Sequence, residues 1–239
     1  LRAASSRILI DHDVIDTDML GKNSVSQFNF VDGGNVPLNA NGIQQHYDDA
    51  EKAVRYAIQK GSLPVSIGGD DGITNPVIRG LNDLNDITII QIDAHLDWRD
   101  ERFGEKDGYS SPMRRASELE HISSIHQIGI RSFGSSTRSD FEEAHRWGAK
   151  IHSARKIHAD GMKSVAESLP VGGKFFVSLD VDGLDPSVIP GTTALAPGGI
   201  MWGEMVELFE TLTKRGNVVG LNVVELAPQN DLNQISMIT

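Results

Sequence analysis

The sequence predicts an α/β fold of three layers, with a central, mostly parallel sheet between helices on both faces. Three observations predict it. Turn-bounded apolar runs alternate along the chain with stretches of helical period, an order that calls for parallel strands joined by helical crossovers. One of those runs, "DITII", is β-branched and does not alternate, as expected of a strand buried on both faces. No repeat and no low-complexity linker divides the 239 residues, so 1–239 is read as one domain.

The elements follow in order. Ala50, Ala53, Val54 and Ala57 recur at helix spacing, and "LPVSI" (Leu63 to Ile67) reads as a strand. "GITNPVIRGL" is a short helix, then "ITIIQID" a strand and "IHQIGI" (Ile125 to Ile130) another. "RSDFEEAHRWGAK" is helical, and "KFFVSLDV" (Lys174 to Val181) is a further buried strand. Met205, Leu208, Phe209 and Leu212 mark a late helix, and "NVVGLNVVEL" closes the series as a strand. In such sheets ligands sit beyond the carboxyl ends of the strands.

Bulk properties exclude several classes. A formal net charge of −11 repels phosphates, so no nucleic-acid partner is expected. Absence of cysteine removes disulfides, thiolate metal sites and a cysteine nucleophile. No apolar run approaches a membrane span and no signal-peptide pattern opens the chain, so a cytoplasmic protein without membrane contact is expected. The chain opens on "LRAASSRILI" without an initiator Met, and both ends are expected to be trimmed.

Four strand ends carry unusual chemistry. "VSIGGDD" brings Asp70 and Asp71 behind two glycines, "IIQIDAHLD" brings Asp93, His95 and Asp97, "FFVSLDVDGLDP" brings Asp180, Asp182 and Asp185, and "VVELAP" brings Glu225. Alternate positions on an extended segment point the same way, so Asp93, His95 and Asp97 are expected to aim at one spot, as are Asp180 and Asp182. Converging carboxylates repel one another, and a cation relieves the repulsion. An oxygen-rich set with one imidazole suits Mn²⁺ or a similar ion. Taken singly, each residue has an ordinary explanation. Asp185 before Pro186 reads as a turn former, Asp70 as a cap and a lone His95 as a structural histidine. Asp-x-His-x-Asp on one buried strand with Asp-x-Asp on another is harder to explain without a metal.

These residues resemble the ureohydrolase family, which contains arginase, agmatinase and other guanidino-compound amidinohydrolases. The resemblance runs from "GNVPL" and "SIGGDDGIT" through "DAHLD", "IGIRS" and "SLDVDGLDP" to "VVELAP", and it is stronger toward agmatinases than arginases. It implies an arginase-like fold and two bridged Mn²⁺ ions per chain, one held by Asp93, His95, Asp180 and Asp182 and the other by Asp71, Asp93, Asp97 and Asp180. It further implies that a guanidino compound is cleaved to urea and an amine. Glu225 would hold the guanidinium and Asp97 would pass a proton to the departing amine. Homo-oligomers, trimers or hexamers, are implied as well.

Three departures accompany the resemblance. Asp71 stands where the family's first motif has histidine; five aspartates against two divalent ions and a bridging hydroxide then leave a net charge of about −2. That charge favours a cationic substrate and raises the pKa of a metal-bound water, so a more alkaline optimum or a looser second metal is expected. The loop after the second motif lacks the family's histidine and offers Tyr109 as proton carrier, although a solvent-facing loop tyrosine has no need of a function. Thr193 and Ala194 lie in the loop that shapes the substrate end of the family's pocket, with Ala194 replacing a threonine common in arginases. Two other classes compete: a metal-dependent amide hydrolase of similar fold, which has no use for Glu225, and a non-catalytic, oligomeric paralogue.

Overall fold

A computed structural model of the chain describes Arg2 and residues 29–38, 42–132 and 134–238. The expectation of trimmed ends falls on terminal residues outside those described. Among the described residues six strands form one parallel sheet in the order β1-β6-β5-β2-β3-β4. They are β1 (Val65–Ile67), β2 (Ile87–Ile92), β3 (Ile122–Ile130), β4 (Lys150–Ser153), β5 (Gly173–Asp180) and β6 (Gly216–Val224).

Helices cover both faces, as the alternation requires. On one face α1 (Ile43–Gln59), α2 (Thr74–Arg79), α3 (Pro112–Ala116) and α4 (Arg138–Trp147) enclose a core of Val54, Ile78, Met113 and Ala144 against Ile87, Ile89 and Phe176. On the other, α5 (Ala154–Asp160), α6 (Lys163–Ser168) and α7 (Trp202–Arg215) pack Ile157, Val165, Leu208 and Leu212 onto Ile90, Ile92, Phe175 and Val177. A last short helix, α8, spans Ile235–Ile238. β2 therefore feeds both cores, Ile87 and Ile89 to one side, Ile90 and Ile92 to the other, and every one of its residues is buried. The predicted fold class holds.

Some boundaries differ from the sequence reading. β2 stops at Ile92, and β6 stops at Val224 because Glu225 takes φ 62°, a left-handed conformation that ends an extended run. β1 begins at Val65 because Pro64 has no N–H to give a ladder. The edge strand β4, "KIHS", and the helices α3, α5 and α6 went unread; each is too short to show a period. The helix "RSDFEEAHRWGAK" ends at Trp147, with Gly148 in the left-handed conformation at its C-cap; at its start Thr137 and Asp140 form a reciprocal capping box.

The topology concentrates strand ends. The chain runs outward from β2 through β3 to β4 in one direction, while β5, β6 and β1 lie on the other side. Ile92 of β2 pairs with Leu179 of β5, which sets Asp93 beside Asp180; Ile67 of β1 pairs with Val223 of β6, which sets the turn carrying Asp71 beside Glu225. This is the topological switch point where open α/β sheets bind ligands.

Candidate metal centre

Asp71 is delivered by a sharp turn. Gly68 and Gly69 hold φ of 112° and 78°, values a side chain would resist, and a 3-10 turn from Asp71 to Ile73 leads straight into α2. The Asp71 carboxylate accepts from Thr74 Oγ1 at 2.6 Å, and Thr74 Oγ1 accepts from Asn222 Nδ2 at 2.6 Å. Its other oxygen, Oδ2, is buried without a hydrogen-bond partner. The Asp71 backbone N–H donates to Glu225 Oε1 at 2.9 Å, so the two residues are tied across neighbouring strands. Asp70 stands before the turn but makes no side-chain cap, unlike the cap expected of it.

Asp93, His95 and Asp97 do not aim at one spot as expected: Asp93 is joined by His95 in one cluster and by Asp97 in another, and strand alternation places neither. Asp97 sits at φ 48° in the loop after β2, and it is this reversal that turns its carboxylate back toward Asp93. Asp93 Oδ1 accepts from the His95 N–H at 2.6 Å, and His95 Nδ1 lies 3.1 Å from Asp182 Oδ2 and 3.4 Å from Asp93 Oδ1. Asp180 and Asp182 do not share a strand either. Asp180 ends β5, Asp182 belongs to a 3-10 turn, and Asp180 Oδ1 accepts the Asp182 N–H at 2.9 Å. Gly183 follows because its Cα packs on the β2 terminus: a β-carbon there would stand 2.5 Å from Asp93 N.

Two trios of ligand atoms result, Asp93–His95–Asp182 and Asp71–Asp93–Asp97, each with its atoms within 4.8 Å of one another and with Asp93 in common. Asp180 is in neither trio but is close enough for its charge to act on Asp97, and for those of Asp71, Asp93 and Asp182 to act on it. Burial first, and then mutual repulsion, push Asp71, Asp97 and Asp180 well above the usual carboxylate range, and burial likewise raises Asp182. For His95 burial disfavours the charged ring, but Asp182 and Asp93 outweigh it and lift the imidazole to about 10. Arg131 lies nearby and its charge acts on Asp182, Asp93 and Asp180, but its hydrogen bonds go to the carbonyls of Gly129, Asp182, Gly183, Leu184 and Ala196 rather than to a carboxylate. A divalent cation fits this donor set. It would pair the orphaned Asp71 oxygen and replace the protons that repulsion otherwise demands.

The remaining predicted residues stand around this centre. Half-buried Glu225 has its carboxyl raised, chiefly by burial. Thr193 and Ala194 are exposed on a loop docked beside it, through a bridge from Thr192 to Leu226 and the Ala227 N–H on Gly191 O. Tyr109 is half-exposed, its ring 5.2 Å from the Arg102 guanidinium. Asp185 is the turn former expected: it accepts from Ser187 and from the Gly198 and Gly199 N–H groups, and these bonds draw its carboxyl down to about 2. Sequence reading passed over Gln91, Gln127, Thr74, Asn222 and Arg131. A polar side chain on a strand buried on both faces is itself a signal, since it must find a partner there.

Comparison with known proteins agrees with this arrangement. The sequence profile described as "Arginase family" matches residues 1–239. Agmatinase of Bacillus subtilis (strain 168) is 33% identical over 209 residues, 87% of this chain and 70% of that protein. N(1)-aminopropylagmatine ureohydrolase of Thermus thermophilus is 30% identical over 77% of this chain and 61% of its own length. Among solved structures, formimidoylglutamase of Bacillus subtilis superposes with a TM-score of 0.82 at 26% identity, covering 98% of this chain and 75% of that one. The predicted resemblance holds: the chain is a hydrolase and belongs to the arginase family.

Proposed function

We propose that the chain is a binuclear-manganese amidinohydrolase that cleaves a guanidino compound, agmatine or a near relative such as guanidinobutyrate, to urea and an amine. The observation that carries this reading is the pair of trios sharing Asp93, with Glu225 tied to the Asp71 turn at their edge. Asp93, His95, Asp180 and Asp182 would hold one ion, and Asp71, Asp93, Asp97 and Asp180 the other. When bound, the pair supplies a water acidic enough to act as nucleophile near neutral pH.

The protein's own groups do the rest. Glu225 presents a carboxylate to the guanidinium, and its bond from the Asp71 N–H fixes that carboxylate relative to the metal ligands. Several buried carboxylates favour a cation entering the crevice over a neutral amide. Asp97 holds the proton that the departing amine needs, because a neutral amine leaves far better than an amide anion. Tyr109, half-exposed on its loop, is the group offered for proton exchange with solvent, and Thr193 and Ala194 lie on the exposed loop that would shape the substrate end of the pocket. The relatives named agmatinase support the agmatine class. Urea release from a panel of agmatine, guanidinobutyrate and arginine on Mn²⁺-loaded protein tests the reading. Urea from agmatine or guanidinobutyrate is expected; no urea from any guanidino compound overturns it.

A further inference from the structure

A buried amide pair lies directly behind the carboxylates. Gln91, the penultimate residue of β2, and Gln127, its partner in register on β3, are both essentially without solvent exposure. Gln91 Nε2 gives one hydrogen to Asp93 Oδ2 and one to Asp97 Oδ2, each at 2.8 Å. Gln91 Oε1 accepts from Gln127 Nε2 at 2.7 Å, and Gln127 Nε2 also donates to Leu96 O at 2.6 Å. The amide orientation is thereby fixed, since a flipped Gln91 would set its oxygen against two carboxylates and face Gln127 donor to donor.

We infer that Gln91, locked by Gln127, is a positioning residue that presets Asp93 and Asp97 for the second metal ion. The inference rests on the metal-centre reading above. Asp93 leaves the end of a strand while Asp97 comes from a loop at positive φ, and no backbone element joins their carboxylates. The two N–H groups of one neutral side chain do. They hold the pair at a fixed separation without adding a positive charge that would compete with the cation. Ligands oriented in this way bind metal more tightly because no reorganisation accompanies uptake, and loss of such partners typically costs about 10- to 100-fold in affinity.

The test is Mn²⁺ titration of the full chain with its Gln91→Met and Gln127→Met variants, followed by calorimetry and by the electron paramagnetic resonance of bound Mn²⁺. Thermal unfolding of the metal-free proteins is measured alongside. Gln91→Met should weaken at least one Mn²⁺ by about tenfold or more and alter the bound spectrum. Gln127→Met, which leaves both donors but frees the amide, should show a smaller loss in the same direction. If Gln91→Met does not fold, a loss of about threefold or more in Gln127→Met carries the inference. Variants that melt earlier yet keep the parent affinity and spectrum overturn it, because the amides would then only fill the core. A parent chain that takes up no Mn²⁺ fails at the earlier step and overturns the metal centre itself.

Discussion

Replacing Gly183 by alanine should damage fold and metal centre together. The added β-carbon would stand 2.5 Å from Asp93 N, 2.7 Å from Ile92 C and 2.8 Å from Asp93 Cα, all backbone atoms. Ordinary contact begins near 3.4 Å, so the β2 terminus and the turn after β5 must part by about 0.9 Å. Neither can move freely. The Asp93 N–H donates to Ile128 O at 3.0 Å, Ala94 N–H donates to Asp182 Oδ1 at 3.1 Å, and Arg131 holds Gly183 O at 3.0 Å. Overpacking of this kind costs about 1–3 kcal/mol. For a domain of this size each kcal/mol lowers the melting temperature by roughly 2–4 °C. A fall of roughly 2–12 °C in the metal-free protein is expected by calorimetry. Asp93 belongs to both trios, so Mn²⁺ affinity should fall as well. Gly203→Ala, with nothing within 4 Å of its β-carbon, is the control; it should leave Mn²⁺ affinity unchanged and, as a helical glycine replaced by alanine, should not lower the melting temperature. A Gly183→Ala variant that melts with the parent and binds Mn²⁺ equally well would refute the reasoning.

Three further outcomes are expected. Glu225→Gln keeps an oxygen for the Asp71 N–H but loses the charge facing the substrate; a charge-assisted bond of about 1.5–3 kcal/mol is removed, so KM for the guanidino substrate should rise by about 10- to 100-fold in steady-state assays. Asp71→His removes one negative charge beside the ions and should move the pH-rate optimum to lower pH; an unchanged optimum would contradict the electrostatic argument. His126 and His152 stack 5.8 Å apart on the adjoining strands β3 and β4, held by burial and neighbouring lysines at about 3 and about 4 respectively. Their folded values lie below the unfolded value of about 6.5, so stability is full above that pH and falls as pH drops from there toward 4, by about 1.4 kcal/mol per unit for each ring. Denaturant melts of His126→Gln should show a visibly shallower decline between pH 6.5 and 4.5 than the parent.

What the sequence made legible follows from what a pattern can encode. The β2 run announces a strand buried on both faces, and the alternation of elements points to ligands beyond the strands' carboxyl ends; that β2 ends at the switch point emerges only from the strand order. The candidate ligands stood out because Asp-x-His-x-Asp near one buried strand with Asp-x-Asp near another is hard to explain structurally, although each residue alone has an ordinary reading. The way they converge was not visible. Alternation on a strand suggested it, whereas Asp97 reaches the site through a left-handed residue and Asp182 through a 3-10 turn, conformations that no period reveals. Gln91 and Gln127 look like chance polar interruptions until the register of β2 and β3 sets them side by side. Arg131 stood within a quoted motif, but only the folded chain shows its guanidinium stitching the β3 end to the turn that carries Asp182. Strand β4 and the helices α5 and α6 escaped notice because four to seven residues hold too little periodicity to read.

The central proposal is that buried carboxylates at three strand ends, those of β1, β2 and β5, are paired with two metal ions. Metal content by mass spectrometry on Mn²⁺-dialysed protein tests it most directly. About two Mn²⁺ per chain is the predicted result, with fewer in Asp93→Ala because both trios lose a ligand. A chain that retains no metal after dialysis, and whose Asp93→Ala variant behaves identically, would contradict it.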